Sequence, residues 1–126
     1  MKKLTPNLIV ERIEDCLPFW VDRLGFTKVV EAPVDDRLGF VILKRDAVEL
    51  MLQTRAFLEK DVPEITDGPH RAVLYIETKD LRPIRASLKG WSSVVPERTT
   101  SYGAREIIVR DPAGHVIFFS TFEGKT

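Results

Sequence analysis

The run Asp15-Cys16-Leu17-Pro18-Phe19-Trp20-Val21-Asp22-Arg23-Leu24-Gly25-Phe26 decides the fold, because its markers return later in the chain. Asp15, Pro18, Gly25 and Phe26 recur 65 positions on as Asp80, Pro83, Gly90 and Trp91. Each set reads as one helix. The Asp is an N-cap candidate, since its carboxylate can accept an orphan N–H of the first turn. A Pro three residues later stands where its missing N–H costs no helical bond. The Gly suits the left-handed conformation that closes a helix, and the aromatic after it can pack back on the last turn. Between the markers, Leu17, Val21 and Leu24 form one apolar stripe at helical spacing, and Leu81, Ile84 and Leu88 form the other.

The flanks repeat as well. Strand-like Leu8 to Val10 precedes the first helix, and Val73 to Ile76 precedes the second. After the first helix, Phe26 to Glu31 reads as a strand. Arg37 to Leu43 and Val48 to Gln53 then form a hairpin about Lys44-Arg45-Asp46. After the second come Trp91 to Pro96, Ala104 to Val109 and His115 to Thr121. The last two join through Asp111-Pro112-Ala113-Gly114, with Asp, Pro and Gly where a type I turn prefers them.

The expected fold class is therefore α+β, with two βαβββ modules in one domain spanning residues 1–126. Module one covers about residues 1–55, a polar, turn-rich connection about 54–69, and module two about 70–126. A sheet with a single helix keeps one face bare. The economical arrangement sets two such sheets about a pseudo-twofold, helices outside and a cleft between them. Alternate strand residues would line that cleft, the usual setting for a small-molecule site.

Composition narrows the function. Apolar residues make up 44% of the 126 and charged residues 30%, enough for a core and against disorder. The 19 Lys and Arg cancel the 19 Asp and Glu, so no long-range field steers the chain to nucleic acid, and no local basic patch is visible. Arg37, Lys44 and Arg45 read as a solvated hairpin surface. Aliphatic and aromatic runs such as Phe40 to Leu43 and Val116 to Phe119 hold four residues each, far short of a membrane span. Behind Lys2 and Lys3, the residues Pro6, Asn7, Glu11 and Arg12 interrupt any signal-like apolar core. Cys16 stands alone, which excludes an internal disulfide and points to a reducing, cytoplasmic setting. His70 and His115 are too few for a zinc site rich in Cys and His. Asp35-Asp36 beside Pro33 reads as an ordinary loop. No phosphate loop, nucleophile elbow or dinucleotide fingerprint occurs.

Leu17-Pro18-Phe19-Trp20 through Leu24-Gly25-Phe26, the strand Val48-Glu49-Leu50, and Tyr102-Gly103-Ala104-Arg105-Glu106 followed by Asp111-Pro112-Ala113-Gly114-His115 stand in a telling order. Together they resemble the vicinal oxygen chelate superfamily, which includes glyoxalase I, bleomycin-resistance proteins, fosfomycin-resistance enzymes and extradiol dioxygenases. The resemblance spans essentially the whole chain and implies the glyoxalase/bleomycin resistance/dioxygenase fold. Enzymes of that family hold a divalent metal through the first and last strand of each module. Carried over, those positions fall on Thr5 and Glu49 in module one, and on Phe118 in the last strand of module two. The remaining position falls on His70 by the 65-residue shift, or on Val73 when Tyr75 to Leu81 is matched to the family's strand and helix start.

Side-chain alternation separates these two choices. With His70 inward, Tyr75 and Glu77 lie buried under a helix. With Val73 inward, Tyr75 and Glu77 line the cleft while Ala72, Leu74 and Ile76 cover the helix, which buries aliphatics and wets the carboxylate. The second is preferred. The four positions then carry one real ligand, or two with His70, fewer than the three protein ligands of a catalytic centre. An aromatic ring at Phe118 would fill the space a coordinating carboxylate needs.

The resemblance thus implies the metal-free bleomycin-resistance branch: a small-molecule binding protein without cofactor, sequestering a drug or metabolite, and a homodimer. The alternative is a lyase or dioxygenase using one divalent Zn, Ni, Mn or Fe, with Glu49 and His70 plus ligands from a partner chain. Glu49, expected to face the cleft with Met51 and Gln53, would anchor a ligand, or act as catalytic base in an enzyme. Its bland alternative is a carboxylate at a wet strand edge, or one paired with Arg or Lys. Tyr75 and Glu77 are candidates of the same kind. Trp91, Tyr102, Phe118 and Phe40 would wall a planar ligand. His115 reads as structural, and Cys16 as a quiet half-buried thiol.

Overall fold

The computed structural model describes residues 3–65, 69–101 and 103–122, with residue 65 by its backbone alone. Two compact units form, Met1–Arg71 and Ala72–Thr126. The first contains β1 (Asn7–Val10), α1 (Ile13–Leu17), a π-helical continuation (Pro18–Arg23), β2 (Thr27–Val34), β3 (Arg37–Arg45) and β4 (Val48–Thr54). It closes with α2 (Arg55–Asp61) and a 3-10 turn (Pro63–Ile65). The second contains β5 (Val73–Glu77), α3 (Arg82–Ser87), β6 (Arg98–Thr99), β7 (Arg105–Arg110) and β8 (Val116–Thr121). The sheets run β1-β4-β3-β2 and β5-β8-β7-β6. In each, the outer pair β1–β4 or β5–β8 is parallel and the remaining pairs are antiparallel. The βαβββ order read from the repeat is present twice, and the fold class is α+β.

Period-two alternation builds each core. In the first unit Leu8, Val10, Val41, Leu43, Leu50 and Leu52 are buried, as are Ile13, Cys16, Phe19, Trp20 and Leu24 from the helical segment. The segment α1 packs on β3 and β4. Each such Leu contributes about 1.5–3 kcal/mol through its removal from water. In the second unit the helix stripe Leu81, Ile84 and Leu88 is buried, together with Ile107, Val109, Ile117 and Phe119.

Several expectations are corrected. Asp15 is not an N-cap: α1 begins at Ile13 after Arg12, and Asp15 lies inside the first turn, 3.6 Å from the Arg12 guanidinium. Pro18 therefore falls within the helical run, where it cannot donate to the Glu14 carbonyl and its ring crowds it. The chain answers by widening into a π turn. The Leu24 N–H reaches the Phe19 carbonyl at 3.1 Å and the Phe26 N–H the Trp20 carbonyl at 2.9 Å. Gly25, at φ +73, closes it. Asp80 stands one residue before the cap position, Leu81, and its Oδ1 accepts the Arg82 backbone N–H at 2.9 Å.

Trp91 to Pro96 does not form a strand. Only Ser93 bridges to Val109, and pairing with β7 resumes at Arg98–Thr99, beyond Pro96, which has no N–H to offer a ladder. β2 runs past Glu31 through Pro33 to Val34, tolerated because it is the outer strand of its sheet and carries register shifts. The connection after β4 holds α2, whose start is capped by Thr54 Oγ1 accepting the Phe57 N–H at 3.0 Å. His115 is structural: it is buried, and its Nδ1 accepts the Ala72 N–H at 2.9 Å. Among the described residues no helix is long and apolar enough to cross a membrane.

Candidate functional site

Alternation gives each sheet a second face, opposite its buried aliphatic rows. In the first unit that face carries Asn7 and Ile9 from β1, Glu49, Met51 and Gln53 from β4, and Phe40, Ile42 and Lys44 from β3. The register sets Asn7 beside Met51 and Ile42, Ile9 beside Gln53 and Phe40, and Glu49 beside Lys44. The Asn7 amide donates to Gln53 Oε1 at 3.0 Å. Lys3 forms an ion pair with Glu49, the pairing the bland alternative names. Thr5 lies just before β1. The Phe40 ring stacks on Phe57 of α2 with centroids 6.0 Å apart.

The second unit carries the richer face. Val73, Tyr75 and Glu77 are exposed along β5 while Leu74 and Ile76 are half-buried, so Val73 shares its face with the tyrosine and the carboxylate. His70 lies before the strand. The register makes rows: Val73, Val116 and Arg110; then Tyr75, Phe118 and Ile108; then Glu77, Ser120, Glu106 and Arg98. The Tyr75 and Phe118 rings stack with centroids 6.0 Å apart at 28°, and the Tyr75 hydroxyl donates to Ser120 Oγ at 2.7 Å. The Arg98 guanidinium lies 5.9 Å from the Phe118 ring centre. Its Nε and Nη2 reach the same oxygen of Glu106, at 2.9 and 2.8 Å, and that carboxylate is fully buried.

The structure thus brings Tyr75, Phe118 and Glu77 onto one face, and Glu49 onto a face of the other unit. Trp91 sits elsewhere. Its indole N–H donates to the Arg110 carbonyl at 2.9 Å, and it lines an open hollow of about 520 Å³ with Ser92, Ser93, Val94 and Asp111. Tyr102 lies outside the described residues. Sequence reasoning missed Arg98 and Glu106 as a pair. A carboxylate preceding the apolar run Ile107-Ile108-Val109 was a signal, since a charge at a strand position among aliphatics needs a partner. Nearby, Glu97 receives both forks of Arg85 at 2.9 and 2.8 Å and Arg105 Nε at 2.8 Å. The Arg85 hydrogen bonds, then Arg105, hold its carboxyl below the usual range against the opposing pull of burial.

For the metal that such folds house, the four carried-over positions supply one hydroxyl, one carboxylate already ion-paired, and at Val73 and Phe118 no donor atom. Residues 4–119 match the Glyoxalase/Bleomycin resistance protein/Dioxygenase superfamily, and the chain belongs to that family. Among solved structures it is similar to TioX from Micromonospora sp. ML1, with TM-score 0.76 and 18% identity over 97% of this chain and 99% of that one. It is also similar to a lactoylglutathione lyase from Agrobacterium tumefaciens, with TM-score 0.74 and 14% identity over 98% and 96%. A third is the bleomycin-binding protein of Streptomyces verticillus in complex with copper(II)-bleomycin, with TM-score 0.61 and 25% identity over 94% and 96%. The first two likenesses concern the fold alone. No curated protein matches the sequence.

Proposed function

We propose that this protein binds a flat organic molecule, a drug or a metabolite, on the faces its sheets present opposite their aliphatic rows, without a metal ion. The observation that carries the reading is Phe118. Where the family's last strand places a coordinating carboxylate, this chain has a ring stacked on Tyr75. Stacked rings hold a planar guest through apolar contact and offset π-packing, about 0.5–1.5 kcal/mol per aromatic pair beyond the area buried. Glu77 and Arg98 supply orienting polar contacts at the margins of that stack, and Glu49 supplies one on the separate face of the first unit. The four ligand positions carry fewer donors than the three protein ligands of a catalytic zinc centre. The bleomycin-binding relative, solved with copper(II)-bleomycin, lends support.

Elemental analysis of purified protein is expected to find no stoichiometric divalent metal, and one tightly held ion per chain would overturn the proposal. Planar aromatic compounds are expected to raise the melting temperature of the native protein and not of Phe118→Ala. If added Ni(II), Zn(II), Mn(II) or Fe(II) instead produced turnover of hemithioacetals or catechols, lost in Glu49→Gln, the protein would be a lyase or dioxygenase.

A further inference from the structure

We infer that the second unit's face selects flat anions: an aromatic ring bearing a carboxylate, seated on Phe118 and Tyr75 with its charge against Arg98. The inference rests on the small-molecule reading above and deepens it. Arg98 is 48% exposed in its side chain while Glu106 is 0% exposed, so the pair turns its cationic end outward. Nε donates to one carboxylate oxygen of Glu106, which Nη2 approaches at 2.8 Å, and Nη1 has no partner among the described residues. A planar fork with a spare edge beside an aromatic ring matches a carboxylate on a flat molecule.

The pair makes a poor stability device. A buried ion pair is commonly replaced by apolar side chains at little or no cost, and β7 continues as Ile107, Ile108 and Val109. What Glu106 does is fix the guanidinium beside the ring, which makes it a positioning residue. Tyr75 commits its hydroxyl proton to Ser120, leaving Arg98 as the donor next to the stack. The surrounding charge agrees. Arg110, exposed on the same face of β7, adds a second cation. The opposing Glu77 stands on β5, at the other end of the same row from Arg98 on β6. Arg105 is already taken by Glu97.

The test compares 2-naphthoate, neutral 2-naphthamide and cationic 2-naphthylmethylammonium by titration calorimetry on the intact protein. The acid is expected to bind about tenfold tighter than the amide, the size of one charge-assisted hydrogen bond, with the cation weakest. Arg98→Gln is expected to abolish the difference, so that acid and amide bind alike, and Arg98→Lys, which keeps charge but not the fork, to retain only part of it. Glu106→Gln is expected to weaken the acid more than the amide. Equal affinity for acid and amide, or a preference that survives Arg98→Gln, overturns the inference while leaving small-molecule binding intact. Failure of all three probes to bind, or amide binding indifferent to Phe118→Ala, overturns both.

Discussion

Gly39 owes its presence to a neighbour. A Cβ built there would stand 2.6 Å from Phe57 Cδ2 and 2.9 Å from Val34 Cβ, closer than carbon atoms approach. The missing side chain is what lets α2 lay its aromatic ring on β3, beside Phe40. Gly39→Ala is therefore expected to destabilise the protein by about 1–3 kcal/mol through overpacking. Adding Phe57→Ala to that variant is expected to cost less than the sum of the two single changes, because the clash with the ring disappears and only that with Val34 remains. Urea unfolding midpoints of the two single variants and the double variant measure this, and strict additivity would show that the contact is not the cause. Nothing in residue order announces such a requirement, since Gly39 and Phe57 are 18 positions apart.

At the scale of elements, legibility followed the range of the signal. Alternation along one strand is local, so the shared face of Val73, Tyr75 and Glu77 was readable, and so was Phe118 as a member of the last strand. The Arg98–Glu106 pair was not, because it depends on the register across a turn, where Pro96 displaces the fourth strand from its repeat position. The π turn escaped for a related reason. Asp15 looked like a cap, and only a helix beginning at Ile13 puts Pro18 inside the run. The segment α2 hid in a polar stretch although Thr54 carried a usable capping signal. Thr54→Ala removes the hydroxyl that accepts the Phe57 N–H. The expected cost is about 1 kcal/mol, with faster amide hydrogen exchange through Arg55–Asp61. Unchanged protection there would mean that Phe57 packing alone holds the helix.

Across the whole molecule, the repeat made the architecture and the family readable, whereas the chemistry lies in the departures from it, an aromatic at Phe118 and a buried acid at Glu106. In both units a carboxylate among the described residues couples folding to pH. In the first unit Glu14 accepts the Leu38 backbone N–H at 2.9 Å, which holds its carboxyl below the usual range. In the second, Glu97 is lowered chiefly by Arg85 and further by Arg105. Both groups have folded values beneath the unfolded value of about 4.3. Their contribution is therefore complete above that value and is lost as the pH falls through each depressed folded value. Calorimetric melting of the native protein between pH 7 and pH 3 is expected to show a falling transition temperature below about pH 4.5, where unfolded carboxyls begin to take up protons. Glu14→Gln and Glu97→Gln are each expected to lower stability by about 1 kcal/mol at pH 7, and together to flatten the acid slope, because neither amide titrates. A double variant that loses stability at pH 7 yet keeps the native acid slope would assign the pH dependence to other groups.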